Sequence, residues 1–461
     1  MKNDPVIEQF SRILQEKSRA GEGGKFLSYR FPLKVKNFDR LVISLLTTWE
    51  DVFYFHKPNE NIRFIAIGKV FSIRSEGRTR FEELSAGIAD FSPLFVRHFN
   101  GTSDIPMPLF VGSMSFFSGH HDPMWRDFRP SDWFVPELIL AETQDGITAS
   151  YQVDLNANAE KKRAVTRLED FINSLQSGFQ EPEDTPGNSL RSPDDAGKKE
   201  WMDKVSAVVD AIRRGAVNKV VLSRRLSIHG VDARGIVREI TRAGKSFADS
   251  YIFLFKSGDS LFMGISPEKL ASFSEGSVHC NAIAGSIARG ANDEEDKKLG
   301  SELLNSPKNR DEHRIVVDHI KSVLNRHCSS VELDRFPQLK KLSYIQHLYT
   351  GAYGVLHPGV SMVRILEDLH PTPAVGGYPL VPALKMIEAL EHYDRGLYTG
   401  FLGWFDAEGN GDFCVALRSA LLVDDTLHAF AGGGIVVDSK PDEEYVETEI
   451  KLQAITSLIH P

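Results

Sequence analysis

Apolar residues recur along this chain at two spacings, and the spacing changes from segment to segment. In residues 3–18, Ile7, Phe10, Ile13 and Leu14 fall near helical intervals, which predicts an amphipathic helix. The runs RFIAIGKVFSI, PLFVGSMSFF and WFVPELILAE are dense in β-branched and aromatic residues and bounded by glycine or proline, which predicts strands. GITASYQVDL, preceded by Gln144-Asp145, reads as the second strand of a hairpin. Over 200–214, Trp201, Val205, Val208, Val209 and Ile212 share one helical face, and Gly215 is placed to cap that helix. Strands follow in AVNKVVLSRRLSI, DSYIFLFKSG and DSLFMGIS, the last two joined by a Ser-Gly-Asp turn. A helix is expected from 311 to about 325, with Ile315, Val316, Ile320, Val323 and Leu324 inward. GDFCVALRSALLV and TLHAFAGGGIV form a hairpin through Asp424-Asp425. A last helix runs from about 441 to 458, and its strongly acidic first turn suits a helix N-terminus.

Strands and helices do not alternate as βαβ units. The fold class is therefore α+β, with mostly antiparallel sheets packed against helices. Residues 178–199, GFQEPEDTPGNSLRSPDDAGKK, carry three prolines, three glycines and almost no apolar side chains, so they cannot bury a core. This polar loop or linker separates an N-terminal α+β part, 1–177, from a C-terminal part, 200–461, where the candidate chemistry lies. No internal repeat of fixed period occurs.

Composition narrows the class without naming a function. With 461 residues, 41% of them apolar and 25% charged, the chain has the balance of a soluble globular protein. Its 54 basic and 63 acidic residues give a net charge of −9, which argues against a nucleic-acid partner. Cys280, Cys328 and Cys414 are widely separated and form no CxxC pair, so neither a zinc ribbon nor a redox dithiol is expected. A sparse, odd set fits a reducing compartment. MKNDPVIEQF lacks the apolar core of a signal peptide, and no run approaches about 18 consecutive apolar residues. The expectation is a cytoplasmic protein with no membrane partner. His120, His121 and Asp122 lie together in a loop and read as ordinary surface residues.

A few charged residues sit where the apolar pattern does not explain them. Lys219, in VNKVVLSR, falls on the strand face of Val217, Val221 and Ser223. Either it snorkels to solvent, or it is buried and desolvation makes a neutral amine available as a base. Glu268 follows the apolar run that Pro267 ends. It stands either at the mouth of a strand or in the first turn of a helix, SPEKL. Glu312 precedes Val316 by four residues and Ile320 by eight, so it shares their inward stripe, where a carboxylate needs a partner or else frays into water. Glu444, Glu447 and Lys451 share one face of the last helix. Two adjacent acids repel unless a proton or cation intervenes, and magnesium needs only one or two carboxylates when substrate and water complete its shell. The alternative is a solvated helix face. Arg418, inside FCVALRSALLV, needs an anion from the protein or a ligand. Gly432, Gly433 and Gly434 leave the next strand bare, but they do not form a GxGxxG element opening a helix, so a nucleotide fold is not supported.

Taken in order, KVVLSR, SPE, AIAGSIARG, KNRDEH, HLYTGAYG, HPTPAVGG, GLYTGFLG, ALRSA and AGGGIVVDSKPDEEYVETEIK resemble the motifs of the chorismate-utilising enzymes. That family includes the isochorismate, anthranilate, aminodeoxychorismate and salicylate synthases. The resemblance covers about residues 200–458; the N-terminal part is similar only through FVGSMSFF and WFVPELIL. It implies that Lys219 is the base activating water for attack at chorismate C2, and that Glu268 is the acid helping the C4 hydroxyl leave. It further implies magnesium bound by Glu312 and Glu444 with Glu447 alongside, and an enolpyruvyl carboxylate held by Arg418 and Tyr398. Ala284, Gly285, Ser286 and Gly432 then line the substrate, Lys451 lies by the metal end, and His347 and Thr372 match pocket positions whose roles differ between members.

Within the family, Lys219 is the main discriminator, because anthranilate-forming members resemble this chain but carry glutamine there and use ammonia. Aminodeoxychorismate synthases carry a nucleophilic lysine at the position of Ala284. Ser286 stands where threonine is more usual and keeps the hydroxyl. HPTPAVGG looks like the isochorismate synthases, so the resemblance implies an isomerase converting chorismate to isochorismate. Salicylate synthase, which goes on to eliminate pyruvate, is the alternative. No glutamine amidotransferase subunit is implied, and the resemblance leans to a monomer. Menaquinone, siderophore and salicylate routes all begin with this product.

Overall fold

The structure, a computed structural model, describes residues 4–19, 26–35, 37–91, 94–99, 107, 109–119, 122–143, 146–155, 158–177, 190–191 and 195–459. Its strands form a 13-stranded and a 10-stranded sheet, antiparallel except where Phe26–Leu33 pairs with Phe95–Phe99. Alternation along each strand assigns its two faces. In Val52–Lys57, Val52 and Tyr54 pack with Phe10, Leu41 and Leu168 of outer helices, whereas Phe53 and Phe55 turn the other way. There they meet Val111, Leu402 and Trp404 of the second sheet. The second sheet turns Phe401, Phe405 and Phe413 outward onto a core that includes Val205, Val316 and Ile387 of other helices. The expected α+β fold, with antiparallel sheets against helices, is thus a pair of facing sheets with a largely aromatic core between them. Among the described residues no helix is long and apolar enough to cross a membrane.

Several long apolar runs that read as single strands are two strands each. RFIAIGKVFSI divides into Ile62–Ile67 and Phe71–Ser75, and WFVPELILAE falls between Ser131–Val135 and Leu138–Thr143; each pair is split between the two sheets. The run through Glu268 passes from Ser260–Ser266 in the larger sheet to Lys269–Ser274 in the smaller. Lys269–Ser274 is a strand, so the helix reading of SPEKL falls. GDFCVALRSALLV passes back, from Gly411–Val415 to Ser419–Val423. Arg418 therefore lies at a crossover and not inside a strand, and its φ of 47° marks the bend. Only Ser419–Val423 forms the expected hairpin with Thr426–Ile435.

Other expectations shift at their ends. The helix expected from 311 begins at Pro307, because Ser306 accepts from the amide of Asn309 and proline suits a first turn. The helix expected from 200 spans Asp195–Arg213, and Leu190–Arg191 pairs with Ile228 and His229, so both intrude into the polar stretch 178–199. The rest of that stretch, 178–189 and 192–194, lies outside the described residues, as do Gln144, Asp145, His120 and His121. Asp122 accepts from the amide of Met124 and pairs with Arg225 at 3.5 Å. The three cysteines are buried and unbridged.

Candidate active site

Lys219 opens the strand Lys219–His229 and is 0% exposed, so the snorkelling reading falls. Its Nζ lies 3.0 Å from Glu312 Oε1. The contact lacks hydrogen-bond alignment, and Nζ has no hydrogen-bond partner among the described residues. The pair fits because Gly434, opposite Val221 on the neighbouring strand, has no side chain. A Cβ there would lie 2.3 Å from Glu312 Oε1 and 2.8 Å from Lys219 Cε.

The two crossovers carry the next pair of groups. The amide of Val415 donates to Glu268 O at 3.1 Å and that of Ile265 donates to Arg418 O at 3.0 Å, so the bends are tied together. Both side chains reach one cleft of about 660 Å³ that is partly open to solvent. Burial pushes the Glu268 carboxyl up to about 8, against the pull of Lys219, Lys340, Lys451 and Arg418. It is thus protonated at neutral pH, as an acid must be. Burial lowers Arg418 to about 10, which leaves it charged. Among the described residues the one hydrogen bond of its guanidinium is to His347 Nε2 at 3.2 Å, and it has no ion pair. A buried, unpaired guanidinium facing a cleft is a receptor for a ligand anion.

His347 supports that receptor. Arg418 can only donate, so Nε2 of His347 accepts and Nδ1 carries the hydrogen. Nδ1 faces Ser286 Oγ at 3.0 Å and Gly285 O at 3.3 Å. Burial, then Arg418, holds the imidazole well below its ordinary value, so it is neutral. Gly285 makes the arrangement possible: the strand Ser277–Ala288 bulges between Ala284 and Ser286, and Gly285 takes a φ of +76°. Ala284, Gly285 and Ser286 line the cleft beside Tyr398, which stacks on Phe430 at 5.0 Å. Gly432 completes that wall, since a Cβ there would lie 2.5 Å from Leu222 O and 3.1 Å from the Tyr398 hydroxyl. Thr372 is not among the residues that line the cleft; its Oγ1 accepts from the amide of Ala374, which does line it.

The three carboxylates read as metal ligands each hold a lysine. Besides Glu312 with Lys219, Glu444 meets Lys308 at 2.9 Å and Glu447 meets Lys451 at 2.6 Å. Lys451 also donates to Gly432 O at 2.8 Å. Burial and the neighbouring Glu447 raise the Glu444 carboxyl. For Glu447, burial is outweighed by Lys451 and other cations, and its carboxyl is held low. Among the described residues no three His, Cys, Asp or Glu are gathered tightly enough to hold a metal by themselves. The set nevertheless fits magnesium, which takes hard oxygen donors and leaves positions for substrate and water. The bare strand at Gly433 and Gly434 keeps the space beside Glu444 and Glu312 clear: a Cβ at Gly433 would lie 3.2 Å from Glu444 Oε2.

Likeness to known proteins gives the family of the chain. The family model described as chorismate binding enzyme matches residues 12–460. The chain belongs to the chorismate-binding enzyme family. It is 31% identical over 418 residues to isochorismate synthase MenF of Bacillus subtilis, covering 88% of this chain and 87% of that one. It is 36% identical over 371 residues to anthranilate synthase component 1 of Saccharolobus solfataricus, covering 77% and 82%. The solved structure of MenF, the menaquinone-specific isochorismate synthase from Escherichia coli, superposes with a TM-score of 0.77 at 22% identity, covering 98% of this chain and 100% of that one. This chorismate-binding enzyme thus shares its fold along nearly its whole length, including the N-terminal part that its motifs link only loosely.

Two lysines that reach residues at or beside the cleft carried no clear signal in the sequence. Lys308 precedes Glu312 by one helical turn, a spacing that marks a shared face but does not point to Glu444. Lys340 donates to Pro267 O at 2.8 Å, next to Glu268, from a strand of no distinctive pattern.

Proposed function

We propose that this enzyme converts chorismate to isochorismate, adding water at C2 with loss of the C4 hydroxyl, and uses magnesium. The observation that carries the reading is a fully buried lysine, Lys219, near a carboxyl held protonated, Glu268. Anthranilate synthase component 1 and isochorismate synthase MenF are both relatives, so overall identity does not choose the nucleophile. Lysine at 219 and alanine at 284 favour water over ammonia or an enzyme amine.

Arg418 and Tyr398 take the enolpyruvyl carboxylate, with His347 fixing the guanidinium. In its neutral form Lys219 accepts a proton from the attacking water, and Glu268 gives its proton to the departing C4 oxygen. Holding the ring between this base and acid supplies orientation as well as proton transfer. Glu312, Glu444 and Glu447 would hold magnesium, which supplies positive charge for the ring carboxylate. The reaction needs no amidotransferase subunit, and we assign it to a monomer in the cytoplasm.

The purified chain incubated with chorismate and magnesium, with products separated by chromatography, tests the assignment. Isochorismate is expected as the main product. Salicylate with pyruvate, or anthranilate on adding ammonium, would overturn it.

A further inference from the structure

Glu391 and Arg395 form an ion pair at 2.6 Å with side chains 1% and 0% exposed. A buried pair of this kind contributes little net stability over apolar residues of the same size, so its partners carry the explanation. All five N–H donors of the guanidinium are used. Nε and Nη2 donate to Glu391 at 2.7 and 2.6 Å, and Nη2 also donates to Val221 O at 2.7 Å. Nη1 donates to Val375 O at 3.0 Å and to Thr399 Oγ1 at 3.3 Å. Glu391 in turn accepts from the amide of Ser223 at 2.6 Å.

The acceptors define what the pair replaces. The strand Lys219–His229 is paired along one edge by Thr426–Ile435. On its other edge, among the described residues, Gly377–Tyr378 reaches only Lys219 and Val220, and Leu190–Arg191 reaches only Ile228 and His229. Between them the amide of Val221 goes to Gly376 O, and then Val221 O and the Ser223 amide go to Arg395 and Glu391. The two side chains satisfy backbone groups that a neighbouring strand would otherwise satisfy. Val221, Val375 and Thr399 come from three separate segments, and all three line the cleft.

We propose that Arg395 and Glu391 are positioning residues for the reaction: they stand in for a missing strand beside Val221 and Ser223, and so fix the Lys219 strand against the Tyr398–Thr399 wall. Lysine at 395 keeps the charge but, with one nitrogen, cannot span Val221, Val375 and Thr399 together. R395K and E391Q in the full chain test this by kinetics and by amide hydrogen exchange. Only the kinetic arm rests on the function proposed above; a wild-type chain that made no isochorismate would sink that function and leave the exchange arm intact. For R395K, kcat is expected to fall about ten- to a hundredfold with KM changed less than about threefold. Peptides covering 219–225 should exchange about tenfold faster while those covering 62–67 stay as in wild type. If R395K does not fold, E391Q should give the same pattern. Wild-type kcat, unchanged exchange over 219–225, exchange rising equally over 62–67, or failure of both variants to fold would each overturn the positioning role.

Discussion

Glu268 and Arg418 are neighbours because the chain changes sheets at both: the backbone oxygen of each accepts an amide from the other's crossover, at 3.1 and 3.0 Å. A buried carboxyl and a buried guanidinium are thereby set beside one another by main-chain bonds. A crossover also brings a polar side chain to the seam between sheets without placing it in either aromatic face. That accounts for an unpaired guanidinium, 9% exposed, in an otherwise apolar run.

Glu268 makes activity and stability respond to pH in linked ways. Its carboxyl is held up at about 8, so kcat/KM should fall about tenfold per pH unit above that value as the acid form is lost. Between the ordinary carboxyl value of 4.5 and about 8 the folded protein retains a proton that the unfolded chain releases. Folding stability contributed by this group is therefore lost as pH rises through that window. Glu268→Gln should abolish turnover yet be more stable than wild type near pH 8, by a few kcal/mol as an order of magnitude. Thermal melts at pH 5 and pH 8 check this, and parallel pH dependence in variant and wild type would count against it.

Gly434→Ala should separate activity from folding. Its added methyl meets Glu312 Oε1 and Lys219 Cε, the ends of two flexible side chains that can give way. Stability should drop by about 1–3 kcal/mol, as overpacking does, while turnover falls far more because the pair is displaced. Gly432→Ala makes the contrast, since its methyl meets the carbonyl of Leu222. That variant should lose folded protein first, as denaturant titration will show.

Lys219→Ala should lower kcat by about 10²–10⁴-fold with the circular dichroism spectrum unchanged. A folded variant with turnover near that of wild type would refute the base role.

Glu444→Gln should shift the magnesium titration of activity to higher concentration, leaving kcat at saturating metal closer to wild type. The variant removes a carboxylate that Lys308 holds at 2.9 Å, so Lys308→Ala should shift the same titration the opposite way. Superimposable titrations for all three proteins would argue against a ligand role.

Much of the site was legible because its residues violate local patterns. Lys219 on an apolar strand face and Glu312 on an apolar helix stripe both point inward by periodicity, and the structure pairs them. The division of GDFCVALRSALLV between two sheets was not legible, since both halves are equally apolar and hydrophobicity does not name the sheet that buries them. Glu391 and Arg395 stayed hidden for a related reason. Oppositely charged residues four apart look like a solvated helix pair, and only the tertiary fold shows them 1% and 0% exposed.

The place of Thr426–Ile435 in the larger sheet, between Lys219–His229 and Ser419–Val423, bears on biosynthesis. One edge of the lysine strand has no partner until the chain has been translated past residue 426. Glu444 and Glu447 emerge from the ribosome later still. A nascent chain halted before residue 426 would hold Lys219, Glu268 and Arg418 and yet lack the strand that pairs with Lys219–His229, so the cleft cannot be assembled until Thr426–Ile435 has been made.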